Sequence, residues 1–187
     1  MKKVLIVVVL VGVFVAGFFM WNQRSSFLPV AEGMRVYTNH GVSFSYPTHY
    51  FLEEKVSENA KRTHYTIILT EDTEENKAVR EGRAPPREGP TAITIDVFQN
   101  DLDHLTAEEW IKHVSSSNYS LSVDSILTPR RVGTISGFAY RWSGLYEAKA
   151  VVVANDSFLY AFTATYLTQD DVILKDFERI LEGVKFN

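Results

Sequence analysis

The chain of 187 residues contains no cysteine. This absence excludes a disulfide framework, a thiolate metal site, a cysteine nucleophile and a lipid-modified N-terminal cysteine. It does not exclude an oxidising compartment, because a domain of about 150 residues can bury an adequate core without cross-links. The fold must therefore be held together without covalent bridges.

Short motifs with a defined catalytic mechanism are also missing. The sequence has no H-E-x-x-H, no G-x-S-x-G and no glycine-rich phosphate loop. The histidines His40, His49, His64 and His113 are scattered, and we expect each in a turn or on a strand surface rather than in a site. We therefore predict a non-enzymatic protein. A Ser-His-Asp site assembled from distant segments stays open as the alternative.

Positive charge is scarce outside the N-terminal segment. The formal net charge is −4, and without Lys2, Lys3 and Arg24 there are 16 basic against 23 acidic residues, a net charge of −7. A domain of that charge has no electrostatic reason to approach nucleic acid or anionic lipid. We expect no nucleic-acid partner.

The N-terminal segment is an unbroken apolar run from Val4 to Trp21 that follows Lys2 and Lys3. As a helix, these 18 residues span roughly 27 Å, enough to cross the hydrocarbon core of a bilayer. The two lysines favour a cytoplasmic N-terminus. We predict a transmembrane signal anchor at 1–24, a tether at 25–35 and an extracytoplasmic globular domain at 36–187, in a single-pass protein of the cell membrane.

Two other interpretations of this segment stay open. A cleaved signal peptide has an apolar region of about 7–15 residues before a small-x-small site, whereas this run is longer and has Phe18–Trp21 at the position of the site. A pilus- or envelope-assembly subunit would use the helix for packing, but the early glutamate of pilin-type N-termini is missing. The uncleaved anchor is the interpretation that the residues favour.

Alternating apolar and polar residues predict the strands. The clearest stretch is 136–166, where turns at Ser143-Gly144 and Asn155-Asp156 separate three strands of an antiparallel meander. In its last strand both sides are apolar or small, which indicates a sheet covered on both faces. The other predicted strands are 34–38 and 42–46, joined by Asn39-His40-Gly41, and then 51–58, 64–70, 91–99, 121–128 and 131–135.

Two helices are predicted from their caps. Thr106-Ala107-Glu108-Glu109 is a capping box that opens a helix ending at about Val114. Thr168 and Asp171 form a second capping arrangement for a helix at about 169–181 with one apolar stripe.

The stretch 71–90 has many charges, three prolines and no apolar periodicity. Long loops without structure of their own are usually functional or disordered. We predict a flexible flap here, with room for one or two helical turns at about 73–80. A partner-binding loop is the alternative.

The order of elements resembles the PsbP-like domain family. The motifs that carry the resemblance are Gly41-Val42-Ser43-Phe44-Ser45-Tyr46-Pro47, the Thr106–Trp110 helix start, the Gly137–Tyr140 strand, the closing Phe177–Leu181 segment and the terminal Val184–Phe186. The resemblance covers about 36–187. It implies an α+β fold, an α/β/α sandwich around a central, mainly antiparallel β-sheet.

The family also suggests a function. Its members include a photosystem subunit of the thylakoid lumen, a nuclear protein that binds the GTPase Ran, and many bacterial secreted or lipid-anchored proteins, and most are non-enzymatic. This chain differs from the bacterial lipoproteins because an apparent transmembrane segment replaces the lipid-bearing cysteine. The photosynthetic role is not carried over.

The densest group of candidate metal ligands is Asp101, Asp103, His104 and Glu108. Oxygen ligands suit Ca²⁺ or Mn²⁺, and His104 could join for a transition metal. The spacing lacks the glycine and distal glutamate of an EF-hand, and the acids equally suit the N-terminal side of a helix. We predict no cofactor, and a metal-dependent or hydrolytic enzyme centred on this group is the alternative function.

The candidate partner-binding residues are Arg130, Arg131, Arg141 and Trp142. Arginine beside an aromatic ring can hold an anionic partner, although solvated arginines of a turn and a strand would have the same sequence. The sequence thus predicts a membrane-anchored, extracytoplasmic binding or scaffolding module with a protein partner in the cell envelope.

Overall fold

The computed structural model describes residues 31–59, 62–85, 88–155 and 157–187. The predicted signal anchor and the first residues of the tether lie outside the described residues. Within the described ranges, no helix is long and apolar enough to span a bilayer.

Seven strands form the main sheet. They are β3 (Tyr50–Asn59), β4 (Arg62–Glu71), β5 (Ala92–Gln99), β6 (Thr128–Val132), β7 (Ile135–Ser143), β8 (Glu147–Ala154) and β9 (Phe158–Tyr166). Their order across the sheet is β3-β4-β5-β9-β8-β7-β6, and all pairings are antiparallel. The predicted meander is confirmed as β7, β8 and β9. Its last strand pairs on the other side with β5 and therefore lies inside the sheet.

A second, small sheet consists of β1 (Met34–Asn39), β2 (Val42–Pro47) and β10 (Lys185–Phe186), in the order β1-β2-β10. The predicted hairpin is confirmed. Its turn is His40-Gly41, with φ values of 50° and 73°. Positive φ at both turn residues matches the right-handed twist of the two strands.

Three helices are described: α1 (Glu74–Arg80), α2 (Ala107–His113) and α3 (Val172–Gly183). The predicted capping box opens α2, since Glu109 N donates to Thr106 Oγ1 at 3.2 Å and Thr106 N donates to Glu109 Oε2 at 2.9 Å. Thr73 caps α1 by accepting a hydrogen bond from Asn76 N at 3.2 Å. The stretch 71–90 thus contains the short helix that the sequence allowed.

Three elements predicted from the sequence have wrong boundaries. The predicted strand 131–135 is divided by a turn at Gly133-Thr134, so Val132 ends β6 and Ile135 begins β7. The last helix begins at Val172 rather than at 169, because Asp171 N donates to the Thr168 carbonyl and forms a turn before it. The predicted strand 121–128 is mostly loop: Leu121 ends a 3₁₀ turn, Ser125 has a φ of 57°, and only Thr128 belongs to a strand. A residue with positive φ cannot continue an extended strand.

Two apolar cores lie on opposite faces of the main sheet. On one face, α3 inserts Ile173, Phe177 and Ile180 among strand residues of both sheets, including Phe44 and Phe162. On the other face, a smaller core contains residues of α2 with their strand neighbours, namely Ala107, Trp110, Ile111, Tyr140, Ala150, Val152, Leu159 and Ala161. The described chain is therefore an α+β protein with helices on both faces of an antiparallel sheet.

Candidate functional site

The face of the main sheet that carries α2 is only partly covered. α2 packs over the strands through Trp110 and Ile111. Toward the β3 edge, α1 lies on the same face, with Arg80 Cζ 3.9 Å from the ring centroid of Phe51. Between these two contacts a strip of strand residues stays open.

Two cavities on this face, beside α2, are both lined by Trp110, and we call them together the groove. The first has a volume of about 230 Å³, and its lining includes Thr94, Asp96, Asn118, Trp142 and Thr163. The second has a volume of about 260 Å³, and its lining includes His64, Phe98, Asn100 and Asp103. The groove therefore combines hydroxyl, carboxylate and aromatic groups.

Strand register places the polar side chains of the groove side by side. Thr66 on β4 pairs with Asp96 on β5, and Thr94 on β5 pairs with Thr163 on β9. Directly paired residues point to the same face of a sheet. Residues far apart in the chain thus share one polar floor.

Asp96 is the centre of the hydrogen bonds in the floor. Its Oδ1 lies 2.7 Å from His64 Nε2 and accepts from Thr66 Oγ1 at 2.8 Å. An ionised carboxylate can only accept, so His64 Nε2 must carry a hydrogen. Asp96 Oδ2 has no hydrogen-bond partner among the described residues, which leaves one carboxylate oxygen for a ligand.

Aromatic rings form the side of the groove next to α2. Phe98 stacks on His64 with ring centroids 4.1 Å apart and contacts Trp110 at 5.2 Å. Trp110 is only 5% exposed, yet its indole N–H makes no hydrogen bond to any described residue. Among the described residues, every side-chain N or O atom that is fully buried has a hydrogen-bond partner. The Trp110 N–H has none there, so it is not fully buried and still reaches solvent. The described cavities that Trp110 lines are those of the groove.

A second histidine–carboxylate pair joins the two sheets. His40 Nε2 lies 2.8 Å from Glu54 Oε1, and the Tyr37 hydroxyl donates to Glu54 Oε2 at 2.7 Å. The bond with His40 is the main cause that lowers the pKa of Glu54, and the bond with Tyr37 adds to it. Burial, followed by the neighbouring carboxylate, raises the pKa of Tyr37. This cluster lies at the hairpin turn, away from the groove.

A third pair involves Asp176 of α3, which is 5% exposed. Its Oδ2 accepts from the Tyr50 hydroxyl at 3.2 Å and lies 3.4 Å from His49 Nε2, and Arg179 Nη1 is 3.7 Å from its Oδ1. The buried carboxylate therefore accepts a hydrogen bond from Tyr50 and has the basic side chains of His49 and Arg179 beside it. Three of the histidines that we expected in turns or on strand surfaces contact carboxylates.

The structure separates the candidate metal ligands. Asp101, Asp103 and His104 are exposed, and Glu108 pairs with Lys112 at 2.5 Å. Asp103 lines the groove, whereas His104 lines a different cavity of about 430 Å³. Among the described residues, no group of three or more histidine or acidic side chains is placed to hold a metal ion.

The candidate partner-binding residues are not assembled into one patch. Arg141 and Trp142 are consecutive on β7 and so point to opposite faces. Arg141 pairs with Asp124 at 3.1 Å, and Arg130 pairs with Glu178 of α3 at 2.6 Å. The remaining arginine, Arg131, donates to the Thr134 carbonyl at 3.4 Å. Of this set, Trp142 lines the groove.

The groove residues His64, Asp96 and Trp110 were not predicted as a site. One signal was available: Asp96 alternates with Ile95 and Val97 in a strand that pairs on both sides. A carboxylate on an inner strand needs partners across the sheet. Those partners are fixed by register, which the sequence did not reveal.

The chain was also compared with known proteins. No protein-family model matches the sequence, and no curated protein matches it.

Proposed function

We propose that this protein is a membrane-anchored, extracytoplasmic, non-enzymatic binding or scaffolding module with a PsbP-like α/β/α sandwich. The observation that supports it best is the groove, a pair of cavities beside α2 that are lined by polar and aromatic side chains. Such a concave surface with a few convergent polar groups is the usual form of a binding site. The partner is a component of the cell envelope. We expect it to be a protein that carries the chemical group bound in the groove.

The hydrogen bonds at Asp96 join three side chains of the groove floor. A nucleophile is activated when a base accepts its proton. Here Thr66 donates to Asp96, and the nitrogen of His64 nearest to Thr66, at 3.2 Å, is the one that carries a hydrogen. His64 cannot accept the Thr66 proton through that nitrogen, so the three side chains form a hydrogen-bonded support for the floor.

The alternative proposal is a metal-dependent or hydrolytic enzyme around Asp101, Asp103 and His104. One observation favours it: Asp103 lines the same cavity as His64. The metal titration described in the Discussion separates this proposal from the first.

Photo-crosslinking tests the proposed function. A photoreactive residue is placed at Ser116, an exposed residue that lines the groove, in the full chain within its own membranes. The matched control is Lys175, an exposed residue of α3 on the opposite face. We expect a discrete adduct from Ser116 and none from Lys175. Equal adducts from both positions, or none from Ser116, contradict a binding role for the groove.

A further inference from the structure

We propose that the groove binds a neutral carbohydrate. This inference rests on the proposed binding function and names the chemical group that the groove recognises. The chemistry of the lining supports it in three steps: charge, hydrogen bonding and aromatic surface.

The charge of the lining disfavours anionic ligands. Among the described residues that line the two cavities there is no lysine or arginine, and carboxylates are present at Asp96 and Asp103. A phosphate or carboxylate ligand needs cationic side chains, most often arginine. A ligand without negative charge therefore fits better.

The hydrogen-bonding groups call for a ligand that both donates and accepts. Asp96 Oδ2 can only accept, and the Trp110 N–H, which reaches solvent, can only donate. Neither has a partner among the described residues. Thr163 on the floor adds a hydroxyl that can do both. Sugar hydroxyls supply donors and acceptors on one small ring and can satisfy all three.

The aromatic residues complete the match. Trp110 and Trp142 both line the first cavity. The face of an aromatic ring carries partial negative charge and attracts the polarised C–H groups of a sugar ring. The two cavities have volumes of about 230 and 260 Å³, and Trp110 lines both. The pair of cavities suits two linked sugar units on either side of Trp110.

The experiment follows the indole N–H signals of the full chain in phosphocholine nanodiscs by NMR. The chain has three tryptophans, so ¹⁵N-indole labelling gives three signals, and that of Trp21 in the predicted anchor is the internal reference. The neutral probes are cellobiose, maltose and N,N′-diacetylchitobiose. The charged probes are glucose 6-phosphate and spermidine.

We expect at least one neutral disaccharide to move the Trp110 and Trp142 signals in a saturable way, with Trp21 unmoved. Asp96→Asn keeps an oxygen for Thr66 and His64 but replaces the free acceptor, so affinity should fall about tenfold or more. The control Asp101→Asn removes a nearby exposed carboxylate that does not line the groove, and affinity should not change.

Three results overturn the inference. The first is no movement of either signal with the neutral probes up to about 50 mM, well above the millimolar constants of weak binding. The second is a stronger response to a charged probe, and the third is unchanged affinity in Asp96→Asn. Because crosslinking at Ser116 is measured separately, adducts without a sugar response reject the carbohydrate while leaving the binding function in place. A sugar response without adducts rejects a protein partner at the groove and leaves carbohydrate binding in place.

Discussion

Tyr37 and Glu54 link the two sheets, because the hydroxyl of Tyr37 on β1 donates to the carboxylate of Glu54 on β3 at 2.7 Å. The imidazole of His40 holds the other carboxylate oxygen at 2.8 Å and stacks on Tyr65, with ring centroids 3.5 Å apart. The position of the β1–β2 hairpin against the main sheet thus depends partly on one ionised side chain.

Removing this charge should change how stability depends on pH. The pKa of Glu54 is lower in the folded protein than its usual value of 4.5, mainly through His40. A lowered pKa stabilises the fold above the unfolded value, and the contribution disappears as pH falls through the folded pKa. Glu54→Gln should cost about 1 kcal/mol at pH 7, and the cost should shrink as pH falls below 4.5 through the lowered pKa of Glu54.

Thermal melts measure the Tm of both proteins at several pH values between about 7 and 3. This range includes the usual pKa of a glutamate carboxyl group, about 4.3. Glu53→Gln is the control, since Glu53 is the preceding residue of β3 and is 3.5 Å from Lys55 at the surface. If the wild-type chain and Glu54→Gln lose Tm in parallel on acidification, Glu54 does not stabilise the sheets through its charge.

Gly41 should tolerate alanine less well than Gly33, although both have a φ above 70°. A Cβ on Gly41 would lie 2.7 Å from Tyr160 Oη, whereas nothing lies within 4 Å of one on Gly33. Backbone strain alone costs about 1–2 kcal/mol, so Gly33→Ala should stay within that range and Gly41→Ala should exceed it.

The stability that Gly41→Ala loses beyond the backbone strain should be regained when the Tyr160 hydroxyl is removed. Denaturant unfolding of Gly41→Ala, Tyr160→Phe and the double variant forms a double-mutant cycle. We expect the double variant to be more stable than the sum of the single losses implies. Strict additivity would show that the contact with the Tyr160 hydroxyl is not the cause.

The flap at 71–90 should matter for binding more than for folding. Replacing residues 73–88 by a glycine–serine linker removes α1 and its contact between Arg80 and Phe51. Loops of this length are exchanged at small entropic cost, so the Tm should change little while the adduct formed at Ser116 is lost. An unchanged adduct excludes a role for the flap.

The predicted topology can be tested because the chain has no cysteine. A single cysteine at Ser116 should react with a membrane-impermeant maleimide in intact cells. A single cysteine at Lys3 should react only after the membrane is permeabilised. The reverse pattern would place the described domain in the cytoplasm.

A metal site at Asp101 and Asp103 predicts stabilisation by its ion. At an ion concentration of 100 times Kd, binding adds about 2.7 kcal/mol to the free energy of unfolding. Melts of the full chain with Ca²⁺, Mn²⁺ or Zn²⁺ measure this, and the Asp101→Asn/Asp103→Asn double variant is the control. A shift that the double variant loses would support the metal-dependent enzyme, and flat melts would reject a site for these ions.

The parts of the fold that could be predicted are those with local signals. Alternation in 136–166 and the capping box at Thr106 depend on neighbours within a few residues, and both are present in the structure. The start of α3 was missed because Thr168 and Asp171 form a turn that resembles a cap in sequence. Side chains that bond backbone groups favour turns and caps alike.

The candidate site depends on long-range pairing. His64, Asp96 and Trp110 belong to β4, β5 and α2, and their meeting follows from strand register. A shift of one residue in either strand would turn Asp96 or its partners to the other face. Nothing local in the sequence fixes that register.

The first and last strands of the described domain lie in the same small sheet. β10 pairs with β2, and Asn187 N donates to the Gly41 carbonyl at 3.0 Å. All seven strands of the main sheet lie between β2 and β10 in the sequence. Contacts between residues so far apart in the chain are entropically costly to form early in folding, so we expect the β2–β10 pair to form after the main sheet.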